Sequence, residues 1–242
     1  MIKTVIFDID GTMYDYETGN RIAMAALQNY CEEQFAIDGE TFRRVFGEAN
    51  RLMAERIGSV SAAIHNRLIR FQYILEQLRQ PPFPHARTMY HIYWDTLIGA
   101  MRRSEGLVEW LQELHRQGIR IGVGSNMTSY IQYRKLEHLG VAPFVDWMVT
   151  SEEVGCEKPE PRFFRLCLEK SGVEPQECLF VGDSLKNDVE GALGVGMRAL
   201  LYVPEGAENT LPGTRGRRYE VIHSYRECLT EDFLSRFLLA EE

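Results

Sequence analysis

The sequence predicts an α/β protein: a doubly wound parallel sheet, interrupted early by an all-helical insertion. Three observations predict it. Short apolar runs alternate with helix-period segments over the second half of the chain, the pattern of a parallel sheet covered by helices. One strand-like run, Thr4-Val5-Ile6-Phe7, stands far ahead of the others. Between it and the next convincing strand, near residue 119, apolar residues recur only at helical spacing.

The first run is rich in β-branched and aromatic residues, is followed by Asp8, Ile9 and Asp10, and stops at Gly11, which reads as a buried strand. In the insertion, Phe42, Val45, Phe46, Ala49, Met53 and Ile57 share one helical face, and Ile64, Leu68, Phe71, Leu75 and Leu78 share another. Pro81-Pro82-Phe83-Pro84 breaks the pattern, and a further helix is expected over 86–102. Hinges are expected near 14–19 and 99–106. From there the elements alternate: helix 105–117 stopped by Gly118, strand 119–124, helix 129–139, strand 147–150, helix 162–171, strand 178–182, helix 187–195 and strand 198–203. A Gly/Pro/Arg-rich loop over 204–218, a strand over 219–223 and a helix over 231–239 close the chain. The domain boundaries expected are 1–13 with 105–242 for the sheet domain and 14–104 for the helical one.

With 242 residues the chain is long enough for one large core and a smaller accessory domain. The formal net charge of −8 argues against a nucleic-acid partner, which would call for a basic surface. Five scattered cysteines, an odd number with no C-x-x-C pair, read as free buried thiols in a reducing compartment. The N-terminus leads straight into a strand, so no signal peptide is expected, and no apolar stretch approaches the length of a membrane span. A soluble, cytoplasmic protein with no membrane partner is the expectation. Oligomeric state is not readable.

Four segments place polar residues at or just beyond strand ends, where ligands bind in open α/β sheets. Asp8 and Asp10 leave the first strand together. Like charges so close need a cation, a shared proton or a chemical role. Ser125 and Asn126 end the second strand, where the hydroxyl can donate to a phosphoryl oxygen and the following N–H groups open a helix. Lys158 precedes Pro159, which is read as the start of a helix, a place where the dipole disfavours a cation unless an anion is near. Asp183 ends a buried strand after Gly182, and Asp188 follows in the first turn of a helix. Taken singly these are an acidic turn, a serine N-cap, a surface lysine and a turn aspartate. Taken together, in this order, they form a pattern.

That pattern, Asp8-Ile9-Asp10-Gly11-Thr12, Ser125, Lys158-Pro159 and Gly182-Asp183 with Asp188, resembles the four motifs of the haloacid dehalogenase superfamily of aspartate-nucleophile phosphohydrolases. The resemblance spans nearly the whole chain. It implies a Rossmann-like core, a helical cap inserted after the first motif, and a Mg²⁺ cofactor held by Asp8, Asp183 and the Asp10 carbonyl, with Asp188 as ligand or support. It implies Asp8 as nucleophile and Asp10 as the acid that protonates the leaving oxygen and then activates water. Lys158 and Ser125 would hold the phosphoryl oxygens, with Asn126 nearby. Four carboxylates contribute about −4, which Mg²⁺ and Lys158 bring to about −1. Asp10, crowded by acids, is expected to have a raised pKa.

The substrate class expected is a small phosphate ester: a nucleotide, a sugar phosphate or a phospho-acid. Candidate substrate contacts are Thr12, Met13 and Tyr14 beside the first motif, and His65, Asn66, Arg67 and Arg70 in the insertion, Arg67 foremost as a partner for a second anionic group. Dehalogenases of the family lack the second aspartate, so Asp10 argues against that chemistry. Its phosphonate hydrolases use a cap lysine, and residues 14–103 contain none. Its phosphosugar mutases usually carry Glu-Asp where this chain has Gly182-Asp183. A mutase, or a catalytically idle binding member, stands as the alternative.

Overall fold

The computed structural model describes residues 1–58, 60–206 and 218–235. The chain divides into two compact units, one of Met1–Asp15 with the chain from Arg102 onward, the other of Tyr16–Met101. No described helix is long and apolar enough to cross a membrane.

Strand β1, Thr4–Phe7, is buried at every position. The helical unit follows as α1 (Tyr16–Phe35), α2 (Gly39–Ile57), α3 (Arg67–Gln77) and α4 (His85–Ala100). α1 packs along α4, and α3 contacts both α2 and α4. α2 starts where the Asp38 side chain accepts from the Thr41 N–H, and buries Phe42, Val45, Ala49 and Met53. Asn66 caps α3 by accepting from the N–H groups of Leu68 and Ile69. This cap separates Ile64 from the α3 stripe; Ile64 lies in a 3₁₀ turn, Ala62–His65. The proline block ends at α4, with Pro84 in the N-cap position. The segment 14–19, read from sequence as a hinge, is helical from Tyr16. Gly19 is buried in α1, where a methyl group would come within 3.5 Å of Leu97 on α4.

The second unit continues with α5 (Leu107–Arg116), β2 (Arg120–Ser125), α6 (Ser129–Leu139), β3 (Trp147–Thr150), α7 (Ser151–Val154), α8 (Pro161–Ser171) and β4 (Cys178–Gly182). A π-helical turn, Leu185–Glu190, runs into α9 (Gly191–Gly194), followed by β5 (Arg198–Tyr202), β6 (Glu220–Ile222) and α10 (Glu231–Phe233). α8 begins at Pro161, not at Pro159, because Lys158 and Pro159 form a turn before it. The far part of the expected helix 231–239 and most of the loop 204–218 lie outside the described residues.

Among the described residues six strands run parallel, in the order β3-β2-β1-β4-β5-β6. The chain winds outward from β1 in one direction through β2 and β3, and in the other through β4 to β6. The C-terminal end of β1 is therefore the switch point, where diverging connections open a crevice. Register brings the motifs to it: Phe7 pairs with Val123 on one side and Val181 on the other, so Asp8, the end of β2 and the end of β4 are neighbours.

Val5, Ile6 and Phe7 are fully buried, each contributing roughly 1.5–3 kcal/mol of apolar burial. Behind the crevice Phe7 meets the edge of Trp110, which stacks on Tyr225 at 5.3 Å, and Tyr225 stacks on Tyr202 at 4.8 Å. This aromatic column positions the first motif, because the Tyr225 hydroxyl donates to the Thr12 carbonyl at 3.2 Å. Ser104 also holds that loop, its hydroxyl donating to the Thr12 carbonyl and its N–H to the Met13 carbonyl, both at 2.9 Å.

Candidate active site

Asp8 is fixed by its backbone, whose N–H donates to the Val181 carbonyl at 2.8 Å. Its carboxylate is nearly buried and meets Lys158, whose Nζ donates at 2.6 Å to Asp8 Oδ1, at 2.7 Å to Asp188 Oδ1 and at 3.0 Å to the Gly124 carbonyl. The ammonium also lies 5.3 Å from the Phe180 ring centroid and 5.8 Å from that of Phe163. Lys158 is held from behind by Asn126, whose Oδ1 accepts from the Lys158 N–H at 2.8 Å and whose Nδ2 donates to the Lys158 carbonyl at 3.4 Å. The amide of Asn126 is thus engaged with backbone.

Asp188, 1% exposed, also accepts from the Ser184 N–H at 3.0 Å through Oδ2. Gly182 makes room for it: a Cβ on residue 182 would lie 2.3 Å from Asp188 Cγ. Gly11, at φ +84°, plays the same part for Asp183, with a Cβ there falling 2.4 Å from Asp183 Oδ2. Thr12 donates its hydroxyl to Asp183 Oδ1 at 3.2 Å.

Asp8, Asp183 and Asp188 each present an oxygen within 4.8 Å of the others. This concentration of charge shows in the acidities. Burial, with Asp188, Asp183 and Asp10 adding to it against the pull of Lys158, raises the Asp8 pKa to about 7. Burial and Asp188 raise that of Asp183 to about 6. Lys158 is shifted upward, since Asp188 and Asp8 outweigh its own burial. Three hard oxygen donors, underneutralised by one shared ammonium, suit an oxygen-seeking divalent cation.

Asp10 turns to other partners. Lys135 Nζ donates to both of its oxygens, at 2.6 and 2.7 Å, Gln132 Nε2 donates to Oδ2 at 3.2 Å, and the Tyr14 hydroxyl donates to Oδ1. Burial alone would raise its pKa, but the charge and hydrogen bonds of Lys135, with Tyr14 and Gln132, lower it. The raised value expected from sequence is therefore corrected. That expectation counted the neighbouring acids and missed a lysine. The charge ledger changes too: Lys158 and Lys135 leave the four carboxylates at about −2, which one divalent cation would cancel.

Lys135 and Gln132, both fully buried on α6, escaped the sequence reading. The available signal was positional: the inward stripe of α6 is Ile131, Gln132, Lys135, Leu136 and Leu139, and a lysine within it requires a buried anion. Gln132 also donates to Ser125 Oγ at 2.7 Å. With that oxygen accepting, the Ser125 hydroxyl hydrogen can be offered to another acceptor.

Arg67 belongs to the helical unit. Its Nη2 donates at 3.1 Å to the hydroxyls of both Tyr16 and Tyr93, and its guanidinium stacks on the Tyr93 ring at 4.7 Å. In the same unit Asn66 caps α3 and Arg70 donates to the Ile64 carbonyl at 2.8 Å. Met13 and Tyr14 are buried in the other unit.

The haloacid dehalogenase-like hydrolase family matches residues 2–196. The chain belongs to this family. It is 36% identical over 206 residues to a ribulose-1,5-bisphosphate 5-phosphatase of Halopiger xanaduensis, covering 84% of this chain and 86% of that one. It is 30% identical over 204 residues to a glyceraldehyde 3-phosphate phosphatase of Methanopyrus kandleri, covering 81% and 82%. Among solved structures, the 2-haloacid dehalogenase of Pseudomonas syringae superposes with a TM-score of 0.77 over 98% of this chain and all of that one, at 23% identity. The fold is that of the family, a Rossmann-like α/β core, and the chain is an enzyme, a phosphatase of the haloacid dehalogenase-like hydrolases.

Proposed function

We propose that the protein is a Mg²⁺-dependent hydrolase of small phosphate monoesters that works through an aspartyl-phosphate on Asp8. The observation that carries the reading is the convergence of Asp8, Asp183 and Asp188, the first and last sharing one ammonium, at the switch point of a parallel sheet. The proposed core is 1–13 with 105–242, and the proposed cap is 14–104.

Asp8, Asp183, Asp188 and the Asp10 carbonyl would hold the ion, which when bound neutralises charge on the phosphoryl oxygens. Phosphate monoesters hydrolyse so slowly that most of the acceleration must come from such electrostatic stabilisation. Asp8 attacks phosphorus, splitting one hard displacement into two easier ones. Lys158 already touches the attacking carboxylate and adds positive charge where the transferred group arrives. Ser125, oriented by Gln132, donates to a phosphoryl oxygen. Asp10, held ionised by Lys135, is set to take a proton from water in the second step. To protonate a leaving oxygen in the first step it must gain a proton against the pull of that lysine.

The fit of Gly182 against Asp188 favours hydrolysis over mutase chemistry, since a glutamate at residue 182 would displace Asp188. Five buried free thiols suit a reducing, cytoplasmic setting. The substrates of the relatives, a sugar bisphosphate and a triose phosphate, head the panel to test. Phosphate release should stop on chelation with EDTA and return with Mg²⁺, but return poorly with Ca²⁺, whose longer and looser coordination misplaces Asp8. Full activity after exhaustive chelation would contradict the proposal.

A further inference from the structure

Lys135 is a fully buried lysine for which the scheme above provides no contact with substrate. A buried ammonium is retained at high cost unless its partners are well placed. Here Nζ meets both oxygens of one carboxylate at 2.6 and 2.7 Å. Gln132, one turn earlier on α6, adds a bond to Asp10 Oδ2 and reaches Ser125 Oγ from the same Nε2. The Tyr14 hydroxyl completes the set at Asp10 Oδ1. Donors from two elements, α6 and the loop after β1, thus converge on one carboxylate. A carboxylate that accepts from three side chains has little rotational freedom. Asp8 is held by a different lysine, Lys158, from a different loop.

We propose that Lys135 is a positioning residue: with Gln132 and Tyr14 it fixes the Asp10 carboxylate in the orientation from which it exchanges protons with the leaving oxygen and with water, while Gln132 ties that orientation to the Ser125 hydroxyl. Proton transfer demands hydrogen-bond reach and alignment, and misplacement of about 1 Å can cost about 100-fold. The cation therefore acts on the reaction through Asp10, whose two oxygens it holds. It does not act on Asp8, so in-line attack on phosphorus should be indifferent to it when the leaving group needs no proton.

The inference rests on the roles given above to Asp8 and Asp10, and the experiment separates the two. Full-length wild-type protein, Asp10→Asn, Lys135→Met and the double variant are mixed with p-nitrophenyl phosphate and Mg²⁺ in rapid-quench runs. A wild type that forms no covalent phosphate would sink the functional reading itself. With that reading intact, Lys135→Met should keep a p-nitrophenolate burst near wild-type rate, and its steady turnover should fall by about 100-fold, with KM changed by no more than about threefold. Added to Asp10→Asn it should cost nothing more, because residues acting as a unit are not additive. Burst and steady rate falling together, neither falling, or full additivity in the double variant would each overturn the proposal. Lys135→Met alone strands a partly buried carboxylate and risks unfolding, which circular dichroism would show. The double variant removes both charges and avoids that risk. Lys135→Gln, which keeps an N–H donor, then supplies the single-site arm and should show a smaller loss of steady turnover with its burst intact.

Discussion

Asp8 and Asp10 leave the same strand two residues apart, and each receives a buried lysine, yet their surroundings are opposite. Asp8 shares its lysine with Asp188 and lies among acids, so its pKa is raised to about 7. Asp10 pairs with Lys135 through both of its oxygens, with a tyrosine and a glutamine besides, and its pKa is lowered. The difference lies in the supply of positive charge. The Asp8 cluster has too few cations and would gain from an added ion. The Asp10 nest is complete within the protein. On the proposed reading, the first suits a nucleophile that works beside a metal, and the second suits a proton carrier.

The largest expected effect is at the nucleophile. Asp8→Asn should lose about 10⁴-fold or more in turnover while keeping its fold by circular dichroism, because the side chain ends a strand rather than filling the core. Turnover within tenfold of wild type, about 1.4 kcal/mol in barrier, would remove Asp8 from the nucleophile's role. Next comes the shared lysine. Lys158→Met leaves Asp8 and Asp188 facing each other without a cation, and breaking a buried pair costs about 3–5 kcal/mol. Urea unfolding of the metal-free variant should show that loss, and added Mg²⁺ should recover part of it.

A third test uses pH. The raised pKa values of Asp8 and Asp183 mean that the folded, metal-free protein binds their protons more tightly than the unfolded chain. Their contribution is fully present below the ordinary value of 3.8 and is lost as pH rises through about 6 to 7. Asp10, with a lowered pKa, works the other way: its contribution is present above 3.8 and lost as pH falls below that value. In EDTA, the stability of wild type relative to Asp8→Asn should therefore decline between pH 5 and pH 8 on the urea scale. A difference that grows toward pH 8 would break the contrast. A smaller effect is steric. Gly182→Ala drives a methyl into Asp188 and should cost about 1–3 kcal/mol, with weaker rescue by Mg²⁺. Unchanged metal dependence in that variant would remove Asp188 from the cluster's function.

The two units also differ in how openly the sequence declares them. Strands β3 and β4 and helix α6 have the limits read from sequence, because a strand covered on both faces is an unbroken apolar run. α1 carries no comparable signal. It buries Gly19, Ala23, Leu27 and Cys31, a stripe of mostly small residues that lets α4 approach closely but shows little hydrophobic period. The strand-end positions of Asp8, Ser125 and Asp183 were legible, since each follows an apolar run. The partners of Asp10 were not. Lys135 lies 125 residues away in sequence, and its meaning depends on which way α6 faces. An acid count without that lysine put the Asp10 pKa on the wrong side of its ordinary value.

The contrast between the two aspartates is tested most directly by trapping phosphate. Asp10→Asn is mixed with p-nitrophenyl phosphate and Mg²⁺, quenched in acid and mapped by peptide analysis. The nitrophenolate leaving group needs no proton, so transfer to Asp8 should proceed and its hydrolysis should stall. The account predicts about one equivalent of phosphate per chain, on Asp8, formed in a burst before slow turnover. Phosphate on another residue, or wild-type turnover of alkyl phosphates by this variant, would contradict it.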